Sequence, residues 1–415
     1  MSQTLTGAEQ SVGPDRPAER VPRRAKIREH LERDWLRVLV VVLGWHALLT
    51  VAGRVLEALQ SSGGSAAEAP TLFTHTLRWD AGFFLRIAEG TGYENESADR
   101  AFYPLFPLTV RLLRSALFDS ISIPAAGLIV NTVATWLAAL ALLRIGCLLF
   151  GGKQPGWLLV ATLLTAPTAF FLHAFYSEAV LAALGFGAYY FALTRRWNLM
   201  GPLLVLSTAA RLPAVLFVGL CFLEFWRSRG WRLRGLVSWP VLWFPLSIGG
   251  FLGYALYLQV LTGNPRGMFD AYAGNWPYHV FNPNIAATLL DEVRTVWAMA
   301  SGQQPVGPAD LQDHVLPLAG LAVLAASTVY LLLVWRGNGV PLAAFGAAAL
   351  IMFTLNSNVI SVHRYLLPVI ATNVALVHLA QRGWWGRSGL YGWMFAGVGL
   401  QSLLYALFVS GSWAG

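Results

Sequence analysis

Charged residues are scarce in this chain. Asp, Glu, Lys and Arg make up 12% of its 415 residues, hydrophobic residues make up 56%, and the mean hydropathy is +0.55. A soluble domain carries about 25% charged residues, so the deficit excludes a soluble protein and indicates a polytopic membrane protein. The apolar runs are long and do not alternate in polarity, so we predict an all-α fold.

Cysteine is nearly absent as well. Cys147 and Cys221 are the only two, and both lie in apolar runs. This excludes a disulfide framework and a CxxC metal site, and we expect both thiols to be buried and reduced. The acidic loop described below contains no D-x-D motif. We therefore expect no cofactor, with a divalent cation bound by a carboxylate pair as the alternative.

Basic residues outnumber acidic ones, which gives a formal net charge of +8. We interpret this excess as cytoplasmic loop charge and not as a nucleic-acid surface. Residues 1–34 are polar and lack the apolar core of a signal peptide, so they are predicted to form a disordered cytoplasmic tail. Residues 35–415 are predicted to form a single integral-membrane domain, which must then carry any chemistry.

The arginines also orient the predicted spans. About eleven spans fit the apolar runs, among them 157–173 and 362–381, with the N-terminus in the cytoplasm and outside loops near 60–123 and 262–313. The run 200–226 is the ambiguous one. We predict two short helices that meet at Arg211-Leu212-Pro213, because Pro213 suits a first helical turn and the next arginines then stay inside. A single span would place those arginines outside.

One outside segment gathers aromatic rings, prolines and carboxylates. It contains Arg78-Trp79-Asp80, then Gly92-Tyr93, then Ala101-Phe102-Tyr103-Pro104-Leu105-Phe106-Pro107. Asp80 opens a predicted interfacial helix whose apolar stripe is Trp79, Phe83 and Ile87, with Gly90 and Gly92 as stop signals. Asp80 is either a plain N-cap or a general base.

This segment resembles the first extracytoplasmic loop of the PIG-V mannosyltransferases, which belong to the GT-C class of polyprenyl-phosphate-sugar-dependent glycosyltransferases. Weaker matches follow at Phe175-Tyr176-Ser177-Glu178, at Ala210-Arg211-Leu212-Pro213 and at His363-Arg364-Tyr365. The resemblance implies a GT-C-like fold and inverting transfer of a hexose, with mannose expected. The donor would be a polyprenyl phosphate, and the acceptor a hydroxyl on a glycolipid, a polysaccharide or a protein. The arginine-rich, lysine-poor composition favours a bacterial plasma membrane.

Candidate site residues follow from both arguments. Asp80 is expected to be the base, and no matching acid is needed because a lipid phosphate is already a good leaving group. The expected substrate-binding residues are Trp79, Glu94, Glu96, Glu178, Arg211, His363, Arg364 and Tyr365. Arg364 is expected to be the strongest phosphate ligand.

Plain alternatives stand beside these roles. Glu94, Glu96 and Asp99 would otherwise be solvated loop charges, Ser177-Glu178 a helix cap, and Arg211 a snorkelling cation. In the second outside loop, Asp270, Tyr272, Asn275 and Trp276 are either a sugar-binding surface or an interfacial aromatic belt. A secondary transporter is the alternative function, and a non-catalytic scaffold is the third.

Overall fold

The computed structural model describes residues 34–61, 72–95, 97–277 and 280–412. Within these ranges the regular secondary structure is helical, and the β-structure consists of one isolated antiparallel bridge between Phe281 and Asn356. The all-α prediction is therefore confirmed. The predicted tail lies outside the described residues except for its last position.

Five helical segments are long and apolar enough to cross a membrane: Asp34–Gln60, Ile123–Phe150, Trp239–Thr262, Pro308–Val334 and Trp384–Val409. Three shorter apolar helices accompany them: Glu178–Leu193, Val340–Thr354 and Ile370–Ala380. Many large apolar side chains on the long helices face outward, among them Leu48, Val51 and Phe395. An outward apolar surface is what lipid requires, so the chain is an integral membrane protein.

The first helices are α1 (Asp34–Ser61), α2 (Ala81–Glu89), α3 (Gly92–Asn95), α4 (Leu105–Ala116), α5 (Ile123–Phe150), α6 (Lys153–Leu164), α7 (Glu178–Leu193), α8 (Trp197–Thr208) and α9 (Ala214–Ser228). The later helices are α10 (Trp243–Leu246), α11 (Gly249–Thr262), α12 (Gly267–Asn275), α13 (Ile285–Ala300), α14 (Pro308–Asp310), α15 (Leu316–Val334), α16 (Val340–Thr354), α17 (Val362–Tyr365), α18 (Ile370–Ala380) and α19 (Trp384–Val409). Short 3₁₀ turns occupy Thr74–Thr76, Ser97–Ala101, Ala169–Leu172, Leu233–Leu236 and Trp239–Leu242, and a π turn occupies Leu311–Val315.

Helix α5 forms the centre of the packing and contacts α1, α4, α6 and α7. Its first turn is well specified, because the Ser122 side chain accepts from the Ala125 N–H and Pro124 sits in that turn. Its end is specified by Gly151 in the left-handed conformation. A Cβ on Gly127 would overlap the Phe175 ring. Glycine therefore lets the segment before α7 pack closely on α5.

The break predicted in the run 200–226 is confirmed. Helix α8 ends at Thr208 and α9 begins at Ala214, with Pro213 at the N-cap and Arg211 in the connection. Proline is compatible with the start of a helix because its missing N–H has no intrahelical partner there.

Two other predicted spans were drawn too long. The predicted span 157–173 stops at Leu164, and the predicted span 362–381 splits into α17 and α18. Proline explains both breaks, since Pro167 and Pro368 cannot continue a helix. The interruptions create irregular backbone at 165–177 and 366–369. The first of these segments adjoins α17, because the Thr168 hydroxyl donates to the His363 carbonyl.

The predicted stripe of α2 was wrong in part. Ile87 is buried, but the buried side also comprises Ala81, Phe84 and Ala88, whereas Trp79 is 46% exposed. Trp79 precedes the helix and has φ 54, which turns its ring out of the stripe.

Two further expectations in this region were also wrong. Gly90 does end α2 at φ 87, but Gly92 begins α3 instead of acting as a stop signal. Asp99, expected in solvent, is fully buried and pairs with Arg86 at 2.5 Å. Of the cysteines, Cys221 is buried as expected and Cys147 is partly exposed.

Candidate functional site

Four charged side chains from four separate segments form one network. Arg364 in α17 donates from Nη1 to Asp80 Oδ2 at 2.9 Å, and its Nε lies 3.5 Å from Glu178 Oε1. Arg211, between α8 and α9, donates from Nη1 to the same Glu178 oxygen at 2.6 Å. Two arginines and two carboxylates thus share a formally neutral cluster.

Burial makes this network energetically demanding. The side chains of Arg364 and Glu178 are only 4% and 3% exposed, whereas Asp80 and Arg211 are each 16% exposed. A charge removed from water needs a partner, and deleting one member of a buried pair costs about 3–5 kcal/mol. Asp80 and Arg211 are therefore the more exposed members of the network.

Asp80 is not a helix cap. It precedes α2 in a helical conformation, and its side chain makes no capping hydrogen bond. Tyr176 fixes its backbone instead, because the phenol accepts from the Asp80 N–H at 3.1 Å and donates to the Arg78 carbonyl at 3.0 Å. Among the described residues, Oδ2 is bound by Arg364 and no donor reaches Oδ1.

The capping alternative for Ser177 also fails. Ser177 makes no side-chain cap bond, and its hydroxyl accepts instead from Arg211 Nη1 at 3.2 Å. One nitrogen of Arg211 is therefore held by protein groups. Within the described ranges only its Nη1 is engaged, so its remaining N–H groups have no protein acceptor.

Aromatic rings surround the two guanidinium groups. The Arg364 guanidinium carbon lies 5.1 to 5.5 Å from the ring centres of Phe171, Tyr176 and Tyr365. The Tyr365 ring also lies 5.5 Å from the Arg211 guanidinium. Such rings favour a cation by cation–π attraction while keeping water away.

Two strained residues flank the network. Trp79 (φ 54) directly precedes Asp80, and Ser361 (φ 66) precedes Arg364 by three positions. Side chains other than glycine rarely adopt this conformation, and it costs about 1–3 kcal/mol. The Trp79 indole donates to the Ser412 carbonyl at 3.0 Å, which connects this loop to the turn that follows α19.

A cavity of about 1070 Å³ opens beside the network. Asp80, Arg211, Arg364 and Tyr365 line it together with Trp79. A wall of four rings also lines it: Phe83, Phe102, Tyr272 and Trp276. Phe83 stacks on Phe102 at 4.5 Å, and Trp276 meets both rings edge-on at 5.8 and 5.9 Å.

The segment 262–313, which was predicted to form the second outside loop, has two roles. Tyr272 and Trp276 belong to the cavity wall. Asp270 accepts from the Asn264 side chain, and the Asn275 side chain donates to the Ala271 carbonyl within its own helix. Neither Asp270 nor Asn275 lines the cavity. The loop therefore contributes rings to the cavity and keeps its polar groups for local turns.

Several sequence-predicted site residues lie elsewhere. Glu178 lies behind the arginines and does not line the cavity, and His363 is buried away from it. Glu94 is exposed on α3, also off the cavity. Glu96 lies outside the described residues. His173 is buried as well and belongs to a separate cluster of histidines.

That cluster joins three segments behind the site. His46 Nδ1 lies 2.9 Å from His173 Nδ1, and His75 Nε2 lies 3.3 Å from His173 Nε2. His173 is therefore the central member, with one hydrogen bond from each ring nitrogen. His75 precedes Asp80 by five residues, and His173 precedes Glu178 by five. The cluster therefore holds together the two chain segments that lead into the network.

Two cavity residues with polar side chains were not predicted from the sequence as site residues. Asp313 lines the cavity from the π turn, and Tyr103 lines it from the segment 101–107. Burial raises the pKa of Tyr103, so its hydroxyl remains protonated and can donate a hydrogen bond. The sequence contains no local signal for either role. Across the described ranges, no group of three or more His, Cys, Asp or Glu side chains has the geometry to hold a metal ion.

The family follows from comparison with known proteins. The sequence profile described as Mannosyltransferase (PIG-V) matches residues 37–249, just over half of the chain. The chain belongs to the PIG-V mannosyltransferase family. The matched part contains Asp80, Glu178 and Arg211, whereas Asp313 and Arg364 follow it.

Two curated relatives of this family member are both GPI alpha-1,6-mannosyltransferase 2. The Cricetulus griseus protein is 32% identical over 206 residues, which are 47% of this chain and 40% of the relative. The Rattus norvegicus protein is 32% identical over 224 residues, which are 52% of this chain and 44% of the relative. The chain thus matches less than half the length of these relatives.

One solved structure resembles the fold distantly. It is the apo crystal structure of the Archaeoglobus fulgidus oligosaccharyltransferase, with a TM-score of 0.44 and 14% identity. The alignment covers 92% of this chain and 56% of that one.

Proposed function

We propose that this protein is an integral-membrane glycosyltransferase. It moves mannose from a polyprenyl phosphate to an acceptor hydroxyl and inverts the anomeric carbon. The observation that carries the proposal is the cavity in which Asp80 adjoins Arg211 and Arg364, within a chain of the PIG-V family. The names of the relatives support mannose as the sugar.

Asp80 is the proposed base. Arg364 holds its Oδ2, which leaves Oδ1 to face an incoming hydroxyl. The acceptor proton moves to Asp80 as the acceptor oxygen bonds to the anomeric carbon. At the same time the bond from that carbon to the phosphate oxygen breaks, and the lipid phosphate leaves with the bonding electrons. A base oriented by a third group is the usual arrangement for such a step.

The two arginines are the proposed phosphate ligands. Negative charge accumulates on the phosphate as the bond breaks, and guanidinium groups bind phosphate through paired hydrogen bonds. Arg211 has N–H groups without a protein acceptor in the described part of the chain, so it is the better placed for direct contact. Arg364 adds charge from deeper in the cluster and orients Asp80. Glu178 keeps both arginines in position.

The rings are the proposed sugar and lipid contacts. Trp79 and Tyr365 lie next to the charged network, and Trp276 with its neighbours forms an apolar wall of the same cavity. Ring faces suit the C–H faces of a sugar as well as a prenyl chain. Glu94 and His363 receive no role in this mechanism, since neither lines the cavity. Glu96, which lies outside the described residues, stays a candidate for contact with the acceptor.

The membrane arrangement completes the proposal. We keep about eleven spans in a GT-C-like fold, with the N-terminus in the cytoplasm and the cavity at the outer face. The arginine-rich composition supports a bacterial plasma membrane, with a glycolipid, polysaccharide or protein acceptor.

The direct test uses purified protein in lipid nanodiscs. Polyprenyl-phosphate mannose labelled in the sugar is supplied with membrane lipids and mannose-based acceptors. We expect a labelled product, from which an α-mannosidase releases the labelled mannose. Free polyprenyl phosphate should form at the same time. A donor that stays intact under all acceptor conditions would refute the proposal and favour a transporter.

A further inference from the structure

One tyrosine hydroxyl bridges the two peptide groups on either side of Trp79. The Tyr176 phenol donates to the Arg78 carbonyl at 3.0 Å and accepts from the Asp80 N–H at 3.1 Å. Because peptide groups are planar, the orientation of the first sets φ of Trp79 and the orientation of the second sets its ψ. A single hydroxyl bound to both groups therefore fixes both backbone dihedral angles of Trp79.

The backbone conformation fixed in this way is one that a tryptophan rarely adopts. Trp79 has φ 54, in the left-handed region where a Cβ is crowded by the backbone. It lies in the turn from Arg78 to Ala81, which is closed by a hydrogen bond from the Ala81 N–H to the Arg78 carbonyl at 3.1 Å. A strained residue persists only where the surrounding structure holds it. The two hydrogen bonds of Tyr176 hold the backbone of this one.

Tyr176 is itself held in place. Its side chain is buried, and its ring meets the Phe171 ring edge-on at 5.0 Å. Its carbonyl accepts from the Asn131 side chain of α5 at 3.2 Å, and the neighbouring Phe175 N–H donates to the Thr76 carbonyl at 3.1 Å. The position of the hydroxyl is therefore set by α5 and by the segment that leads to Asp80.

The conformation of Trp79 determines where the Asp80 carboxylate lies. Asp80 directly follows Trp79, so a change of φ at Trp79 would move Asp80 relative to Arg364, whose Nη1 lies 2.9 Å from Asp80 Oδ2. The Tyr176 ring also lies 5.5 Å from the Arg364 guanidinium, so one side chain contacts both members of this ion pair. Catalytic groups must be held within about 0.5 Å of their productive positions. A shift of Asp80 would therefore lower turnover.

We propose that Tyr176 is a positioning residue for the base. Its hydroxyl keeps Trp79 in the strained conformation and thereby holds the Asp80 carboxylate where it meets the acceptor hydroxyl. This rests on the proposed mannosyl transfer with Asp80 as the base. Tyr176 does not line the cavity. It acts through Asp80, so its loss should lower kcat and leave the KM for the donor unchanged.

Tyr176→Phe removes the hydroxyl and keeps the ring beside Arg364. With a mannose-based acceptor in nanodiscs, kcat should fall about 10- to 100-fold, since a misplacement of about 1 Å can cost about 100-fold. The KM for polyprenyl-phosphate mannose should stay close to that of the wild type. Tyr405→Phe is the matched control, because the buried Tyr405 hydroxyl donates to the Leu49 carbonyl at 2.9 Å. Both variants should lower the thermal midpoint, but only Tyr176→Phe should lower kcat.

Glycine at position 79 tests the strain itself. Glycine adopts a positive φ without steric cost, whereas alanine keeps a Cβ, and both lack the indole ring of Trp79. The fall in kcat caused by Tyr176→Phe should therefore be at least about 5-fold smaller in Trp79→Gly than in Trp79→Ala. If Tyr176→Phe alone does not fold, Trp79→Gly should restore a folded, active protein and Trp79→Ala should not.

The outcomes separate the two claims. No transfer by the wild-type protein would overturn the proposed function and this inference together. An active wild type with a normal kcat in Tyr176→Phe would overturn the inference alone, as would an equal fall of kcat in Tyr405→Phe. Equal losses in the Trp79→Gly and Trp79→Ala backgrounds would also overturn it, because the hydroxyl would then not act by holding a strained backbone.

Discussion

Replacing Asp80 by Asn separates the chemistry of this residue from its structural contacts. The amide keeps the size of the carboxyl group and can still accept from Arg364, but it cannot take a proton. We expect kcat to fall about 10²- to 10⁴-fold, the usual contribution of general base catalysis. Capping cannot explain such a loss, since Asp80 makes no capping bond and Asn caps as well as Asp.

Asp80→Asn should also lower the free energy of unfolding, and the contacts of Arg364 indicate by how much. Arg364 is 4% exposed and loses one of its two anionic partners, while Glu178 at 3.5 Å remains. The cost is that of a weakened charge-assisted hydrogen bond, about 1.5–3 kcal/mol. This is below the cost of deleting the partner outright. The thermal midpoint should therefore fall while a cooperative transition is retained.

Purified wild type and Asp80→Asn are compared at saturating polyprenyl-phosphate mannose, with Asp291→Asn as the control for charge loss. Donor binding is measured separately, and we expect a much smaller change there than in kcat. Near-normal turnover in Asp80→Asn would remove the residue from the mechanism. The search would then turn to Asp313, the other carboxylate of the cavity.

Three further predictions follow from the same geometry. Arg364→Ala should abolish most transfer, and Arg364→Lys should restore only part, since lysine lacks the planar fork; equal, normal activity in both would refute the role. His173→Leu should lower the free energy of unfolding by about 1–3 kcal/mol for each of His46 and His75 left without its partner, and an unchanged thermal midpoint would contradict this. A topology reporter fused after Arg229 should be cytoplasmic, and an outside signal would contradict the placement of the cavity at the outer face.

Much of the fold was predictable because its causes are local. The scarcity of charge predicted membrane helices, and Pro213 predicted the break between α8 and α9. Pro167 and Pro368 also indicate helix breaks, yet the spans 157–173 and 362–381 were predicted to run through them, because those runs are apolar. The breaks after α6 and before α18 place irregular backbone around the network.

The candidate site was predictable only as a collection of residues. The segment Arg78-Trp79-Asp80 and the pairs Ser177-Glu178 and Arg211-Leu212 were recognisable by their types and positions. Their partners were not. Ser177 resembled a cap and Arg211 a snorkelling cation, because each is in the right local position for that role. The hydrogen bond between them depends on two helix ends meeting in space.

The sequence by itself determined that this is a helical membrane protein, where several helices begin and end, and which loop resembles a known family. Each of these follows from neighbouring residues, whose polarity and backbone constraints act over one or two turns. Only the tertiary structure decided that Asp80 pairs with Arg364, 284 positions away, and that Asp313 enters the same cavity. Buried charges select partners according to how helices pack, because the cost of leaving water is offset only at contact distance.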